Sequence, residues 1–324
     1  MVKTIKKFIF EEFLAAISTG SAATKHSKGF IYVFFLKHYF SKKLANIIFF
    51  SYLCSVKQLL DDITARLTPY YGANEARELA FWVIQETTGL NRFNARTHKG
   101  TKNIPDLPII LEKLCNFVPV QYIFSHTEWL GMDLELSPAT LIPRPETAEL
   151  ISLISANPLT TNPLTRILDI GTGSGCIALA LKRKHPEWII EGLDKSEEAI
   201  AVARRNAAKL NLDVRFFQSD ILTDDIGEYD LIVSNPPYVR PSEQPTMTRN
   251  TILHEPHEAL FVPEDDPLLF YRRIAELHKA PELWFEINEH LGAPTLQLME
   301  QTGYSARCYK DMYGKHRFIH ATKR

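Results

Sequence analysis

From Ser55 onward, apolar side chains recur at helical spacing. Val56, Leu59, Leu60, Ile63 and Leu67 fall on one face of a helix, Ala76, Ala80, Val83 and Ile84 on one face of the next, and Leu111, Leu114 and Cys115 suggest a third. This pattern predicts a small helical domain over residues 55–116. Residues 117–145 carry shorter alternations, of which Trp129 to Leu136 is the clearest strand, and read as a linker. Beyond residue 146 the pattern changes to short apolar runs separated by amphipathic stretches. Thr165 to Ile170, Trp188 to Leu193, Val214 to Gln218 and Tyr229 to Ser234 read as strands. Between them, Cys176 to Leu181 is good helix material followed by Lys182, Arg183 and Lys184, which complement the negative end of a helix dipole. Ser196 caps a further helix, with Glu197 and Glu198 in its first turn. Alternation of strand and helix predicts an α/β fold with a doubly wound, mostly parallel sheet, and the stretch holding Lys310, Asp311, Gly314, Arg317 and Phe318 reads as the turn between two final antiparallel strands.

In a doubly wound sheet the chain starts in the middle, builds outward through strands two and three, and returns to lay strand four beside strand one. Ligands bind in the crevice outside the carboxyl ends of strands one and four. Strand one here ends in Gly171-Thr172-Gly173-Ser174-Gly175, and strand four in Asn235-Pro236-Pro237-Tyr238, so the two loops are expected to face each other across one cleft. Alternate glycines let a backbone approach a ligand closely and leave amide N–H groups pointing at it. A dinucleotide fingerprint would need its third glycine at position 176, which is Cys176, and no G-x-x-x-x-G-K phosphate loop occurs. Asp194, at the end of the second strand, is placed to accept hydrogen bonds from a ribose. Asp220 either meets the exocyclic amine of an adenine or is a solvated loop acid or helix cap.

The double proline stiffens the second loop and holds Asn235 extended. Asn235's amide oxygen, an unpaired carbonyl and the Tyr238 ring are a set suited to a planar, N–H-donating nitrogen. Taken alone, the same four residues also read as a proline turn with a surface tyrosine.

Composition narrows the choices. The 324 residues carry a net charge of −1 with a pI near 6.8, but residues 1–57 hold nine Lys against two Glu, which leaves 28 basic and 36 acidic residues for the remainder. An acidic body disfavours stable binding of nucleic acid and suits a basic protein partner. Cys54, Cys115, Cys176 and Cys308 lie far apart without metal-ligand spacing and read as reduced thiols of a cytoplasmic protein. His254, Glu255, His257 and Glu258 superficially suggest metal ligands, but Pro256 interrupts them and no zinc pattern is matched, so no metal is expected. Glu255 and His257 read instead as braces for the Asn235 loop. Arg144 and Glu146, set between prolines, either close over a bound molecule or form an Arg–Glu structural pair. In residues 1–54 the apolar runs 29–36 and 44–50 are each shorter than the roughly 18 apolar residues of a membrane span. The basic, acid-poor character of this segment fits a targeting sequence or interfacial anchor.

With those residues in view, the chain resembles the class I S-adenosylmethionine-dependent methyltransferases, and more narrowly the PrmC/HemK family of peptide chain release factor glutamine methyltransferases. Asp169 to Gly175 resembles the cofactor loop, and Asn235 to Tyr238 the signature of amide- and amine-methylating enzymes. That signature is shared with adenine and guanine methyltransferases of nucleic acids, so an amino-methyltransferase of a nucleobase in DNA or rRNA is the alternative. Leu141 to Thr147 and Glu255 to Leu260 are similar to segments characteristic of the glutamine enzymes, and Pro119 to Ile123 gives a shorter echo.

The resemblance covers residues 55–324 and leaves 1–54 as an extension of little catalytic weight. It implies a seven-stranded sheet as the catalytic domain over residues 146–324 and a helical domain that helps recognise the release factor. For the cofactor it implies Asp169, Gly171, Thr172, Gly173, Gly175, Asp194, Asp220 and Asn235. For the substrate it implies Asn235, Pro236, Pro237, Tyr238, Arg144 and Glu146, with Asn235, Pro236 and Tyr238 positioning the reacting nitrogen. A monomer is expected.

Overall fold

A computed structural model describes residues 55–98, 104–157 and 165–324. Residues 1–54, with Cys54 and both N-terminal apolar runs, lie outside the described residues. The chain divides into two compact units, the boundary falling between Glu112 and Lys113.

In the first unit, Ser55 caps helix α1 (Val56–Thr88), its side chain accepting the Gln58 N–H at 3.2 Å. The two helices expected from the apolar periodicity are the two arms of α1, broken at Gly72 (φ 75°, ψ 166°) three residues after Pro69. Every apolar position read from the pattern in these arms is buried. On α2 (Arg92–Thr97), the Arg92 and Arg96 guanidinium groups sit 5.2 and 5.0 Å from the Phe81 ring centroid. Helix α3 (Leu107–Cys115) contains the boundary between the units.

Past the end of α3, the second unit continues with the short helix α4 (Val120–Phe124) and an antiparallel hairpin, β1 (His126–Trp129) and β2 (Met132–Glu135). Trp129 to Leu136 is therefore not one strand. Leu130 (φ 48°) and Gly131 (φ 67°) both turn left-handed and fold the run back on itself, so Trp129 ends one strand and Met132 begins the other. Trp129, Met132 and Leu134 are buried in the same core as the central sheet, so the hairpin is part of this unit's interior.

After α5 (Thr147–Ser155) come β3 (Arg166–Ile170), α6 (Cys176–Lys184), β4 (Ile189–Asp194), α7 (Glu197–Leu210), β5 (Arg215–Gln218) and β6 (Leu231–Ser234). Then follow α8 (Arg249–His254), α9 (Leu269–Glu276), β7 (Glu282–Glu286), α10 (Gly292–Gln301), β8 (Tyr304–Lys310) and β9 (His316–Lys323). Seven strands form one sheet in the order β5-β4-β3-β6-β7-β9-β8, parallel through β7 and antiparallel at β7/β9 and β9/β8. This is the doubly wound order expected, with β3 and β6 adjacent at the switch point.

Both faces are covered, which is why these strands read as continuous apolar runs. Ile167, Val233 and Trp284 pack on one side with α6 and α7, and Leu168, Ile232 and Phe285 on the other with α9 and α10. Ile170 is paired in register with Ser234, and the Ser234 hydroxyl donates to the Ile170 carbonyl at 2.7 Å, so β3 and β6 reach their carboxyl ends together.

Candidate functional site

Where β3 ends, Gly171 (φ 70°) and Gly173 (φ 55°) take the left-handed backbone that a side chain would strain. A Cβ built on either would meet nothing within 4 Å, so the loop leaves open space above it. Gly175 (φ 82°) has a different task. Its Cβ would lie 2.9 Å from the Phe216 ring and 3.2 Å from both Ala203 and Leu179, so it lets α6 pack closely on the sheet. Gly192, on β4, was not legible as a site residue in the sequence. A Cβ there would stand 2.6 Å from Phe216 and 2.8 Å from Thr172 Oγ1, and its absence makes room for the loop.

Two carboxylates hold this loop. Asp169, wholly buried, accepts the Thr172 hydroxyl at 2.6 Å and the Ala178 N–H at 3.3 Å on Oδ2, while Oδ1 has no partner among the described residues. Burial pushes its pKa up to about 7. Asp194, closing β4, accepts the Gly173 N–H on Oδ2 and the Ser196 N–H on Oδ1, both at 2.9 Å, and burial raises its pKa too. Asp220 accepts the Leu222 N–H at 3.0 Å and pairs with Lys195 at 3.3 Å, so it caps a turn while its side faces the cleft.

Across the cleft, Asn235 follows Ser234 at the end of β6. Its Nδ2 donates to the Thr147 hydroxyl over a long 3.5 Å, and Thr147 in turn donates to Glu286 at 2.7 Å. Tyr238 is half-buried and directs its hydroxyl to Glu286 at 3.4 Å. Burial raises the Tyr238 pKa, and burial carries the Glu286 carboxyl to about 7. The tail of the loop is held by backbone. Val239 donates to the Leu260 carbonyl and Val262 to the Val239 carbonyl, both at 2.9 Å.

The braces expected from Glu255 and His257 are therefore corrected. Glu255, 4% exposed, accepts from Arg144 at 2.8 Å, Thr251 at 3.0 Å and the Ile142 N–H at 3.3 Å, so it fixes the Leu141–Pro145 stretch rather than the Asn235 loop. His257 and His254 engage the backbone carbonyls of Ile252 and Asn116 at 3.0 and 2.9 Å. The structural partner of Arg144 is Glu255, and not the neighbouring Glu146, whose backbone caps α5. Glu255 lies 111 residues away in sequence, beyond the reach of local spacing.

The two loops open on one cleft of about 510 Å³. Gly171, Thr172, Gly173, Asp194 and Asp220 line one side, and Arg144, Asn235, Pro236 and Pro237 the other. Asp169, Gly175, Glu146 and Tyr238 are not in its wall. A volume of this size holds a ligand such as S-adenosylmethionine. The open glycine cradle and the carboxylates of Asp194 and Asp220, all in the cleft wall, fit that molecule's amino-acid moiety, its ribose hydroxyls and its adenine amine. On the facing side, Asn235 Oδ1 has no protein partner among the described residues, and the rigid pair Pro236 and Pro237 lines the cleft beside it. The arrangement can seat a planar N–H donor opposite the cofactor loop.

Among the described residues, no group of three metal-ligating side chains comes together, and no helix is long and apolar enough to cross a membrane. Cys115, Cys176 and Cys308 are free thiols, and burial pushes Cys176 up to about 12.

Similarity to known proteins agrees with this geometry. A family model described as the methyltransferase small domain matches residues 149–263, which runs from α5 past both loops. The release factor glutamine methyltransferase of Bacteroides thetaiotaomicron is 43% identical over 282 residues, covering 83% of this chain and 98% of that protein. The enzyme of the same name from Deinococcus radiodurans is 33% identical over 277 residues with the same coverage, and that of Flavobacterium psychrophilum 42% identical over 220 residues, covering 65% of this chain and 77% of its own. Identity at this level across nearly the whole length of a relative extends through the helical unit as well as the sheet, and with it the chain belongs to the family of release factor glutamine methyltransferases.

Proposed function

We propose that the protein transfers the methyl group of S-adenosylmethionine to the side-chain amide nitrogen of a glutamine in peptide chain release factors. The observation that carries this reading is the placement of the Gly171–Gly175 loop and the Asn235–Tyr238 loop at the ends of adjacent parallel strands, opening on one cleft. Bound S-adenosylmethionine supplies an activated methyl group on a sulfonium. Gly171, Thr172 and Gly173 cradle the cofactor, Asp194 takes the ribose hydroxyls and Asp220 the adenine amine. Asp169 acts from beneath, fixing the loop through Thr172.

The chain's task is then to place and polarise the glutamine. An amide nitrogen is a poor nucleophile because its lone pair is delocalised into the carbonyl. Asn235 Oδ1 and the Pro236 carbonyl each accept one N–H, which orients the nitrogen and stabilises the positive charge it gains during transfer, until the nitrogen gives up one of those two protons to solvent. Positioning of this kind supplies on the order of 7–11 kcal/mol. Tyr238, with its hydroxyl on Glu286, secures the loop from behind. Arg144 and the Leu141–Pro145 stretch form the wall beside the glutamine, and Glu146 holds the start of α5. The protein works as a monomer in the cytoplasm, without a metal and without stable nucleic-acid binding. The acidic balance of residues beyond 57 supports a basic protein partner.

The test is incubation with S-adenosylmethionine labelled in the methyl group, in parallel with release factor, ribosomal RNA and DNA. Label recovered on a release-factor glutamine is the expected result. Label on nucleic acid would transfer the assignment to a nucleobase, the other planar nitrogen that such a loop accommodates.

A further inference from the structure

Behind the acceptor loop lies a buried carboxylate that does more than anchor Tyr238. Glu286 closes β7 and is 1% exposed. Its Oε2 accepts the Thr147 hydroxyl at 2.7 Å and its Oε1 the Tyr238 hydroxyl at 3.4 Å, while its backbone carbonyl accepts Tyr271 at 3.1 Å. Thr147, the first residue of α5 and itself 2% exposed, stands between Glu286 and Asn235.

The direction of these bonds has a chemical consequence. A threonine hydroxyl has one hydrogen. Once that hydrogen is donated to Glu286, Thr147 can offer Asn235 only a lone pair, and Asn235 can meet a lone pair only with its NH2 end. The oxygen end of the amide is then the one left for another partner. The two ends of an asparagine amide are nearly equal in size, so sterics alone would not choose between them. The wrong choice would aim N–H donors at an N–H donor.

We propose that Glu286, acting through the Thr147 hydroxyl, is a positioning residue that fixes which end of the Asn235 amide faces the substrate nitrogen. This rests on reading Asn235 as the acceptor of the glutamine N–H. The requirement is for a carboxylate in particular. Two hydroxyls donate to Glu286, and both carboxylate oxygens can accept. A glutamine offers one oxygen for two donors, and if its NH2 faces Thr147, that hydroxyl must swing its hydrogen to Asn235 and turn the amide over. Protonation of Glu286 introduces the same ambiguity. The titratable groups around Glu286 are Glu146 before α5, Cys176 at the start of α6, Arg317 on β9, Tyr238 in the loop and Tyr271 on α9.

The full chain with Glu286→Gln, Thr147→Val and Thr147→Ser tests this. Glu286→Gln and Thr147→Val are expected to lower kcat about tenfold or more, with the KM for release factor and the calorimetric affinity for S-adenosylmethionine within about threefold of wild type. Thr147→Ser, which keeps the hydroxyl, restores kcat. The Glu286→Gln/Thr147→Val pair is no slower than the slower single variant, because the two act as one unit.

A second readout needs no substrate. In asparagine-labelled protein, the Asn235 side-chain amide resonances shift as pH is taken from about 5.5 to 8 in wild type and hold still in Thr147→Val. Wild-type kcat in Glu286→Gln overturns the inference, as does an Asn235 amide indifferent to pH, or a loss that Thr147→Ser fails to restore. If the amide responds to pH through Thr147 but release factor is never methylated, the proposed substrate falls and the inference stands.

Discussion

Removal of the Glu255 carboxylate measures what holds the substrate-side wall. Glu255 gathers the Arg144 guanidinium, the Thr251 hydroxyl and the Ile142 N–H onto one carboxylate that is 4% exposed. In Glu255→Ala the Ile142 N–H, on a residue 7% exposed, loses its acceptor, a desolvation cost of about 1–3 kcal/mol. Breaking a fully buried ion pair costs about 3–5 kcal/mol, but the Arg144 side chain is 31% exposed and can turn to water, so its share lies below that range. The expected total is about 3 kcal/mol, which lowers the unfolding temperature of a unit this size by about 6–12 °C.

Arg144→Ala should cost less, about 1–2 kcal/mol, because Glu255 keeps two donors. Denaturant unfolding of wild type, both single variants and the double variant completes the cycle. If the pair acts directly, the double variant loses at least about 1 kcal/mol less than the two singles together. A coupling below about 0.5 kcal/mol would refute the idea that Glu255 fixes the wall through Arg144. Leu141, Pro143 and Arg144 all line the cleft, so KM for the release factor should rise in Glu255→Ala as the wall loosens.

Other perturbations give separate checks. Asn235→Ala should leave S-adenosylmethionine affinity near wild type in calorimetry while turnover falls about a hundredfold or more, and turnover within a few-fold of wild type would remove Asn235 from its role. Asp194→Ala strips the acceptor from the Gly173 and Ser196 N–H groups and should weaken cofactor binding by about tenfold or more, so unchanged affinity would refute the ribose assignment. Gly192→Val forces a side chain to within 2.6 Å of Phe216 and should destabilise the unit by about 1–3 kcal/mol in denaturant unfolding, with no loss at all as the contrary result.

The pH dependence of stability has a definite sign. Asp169 and Glu286 have folded pKa values near 7 against ordinary values of 3.8 and 4.5, so their contribution is complete below the ordinary values and is lost as pH rises through about 7. His185, held below its ordinary value by burial, works the other way, but it is one group against two. Scanning fluorimetry of the cofactor-free protein should therefore show the unfolding temperature rising from about pH 8 to 6. A fall over that interval would contradict the burial of these two carboxyls.

The layout of the site was legible in the sequence because it depends on backbone. Glycines at 171 and 173 and prolines at 236 and 237 impose their geometry locally, and strand order follows from the alternation that precedes them. What stayed hidden depends on side chains that meet across long stretches of chain. Glu255 looked like a companion of the Asn235 loop because it is near in sequence, yet its partner is Arg144. Trp129 to Leu136 looked like one strand because alternation continues through a turn whose tightness depends on a left-handed Leu130. Gly192 sits inside an apolar run and showed nothing of Phe216 above it. Glu286 did leave a trace, an acid between Phe285 and Ile287 at the end of a strand buried along its whole length. An acid retained in such a setting signals a specific set of donors.

The bond from the Ser234 hydroxyl to the Ile170 carbonyl joins the two loops at their roots. Neighbouring strands in a sheet are held roughly 4.8 Å apart by their own hydrogen bonds, and this extra tie prevents them from fraying where they would otherwise diverge. Donor and acceptor sides of the cleft are thus fixed jaws cut from one block. Their spacing does not depend on the docking of a lid or on the angle between domains. Loops beyond Tyr238 and before Thr147 can change to suit another partner without altering the gap across which the methyl group travels.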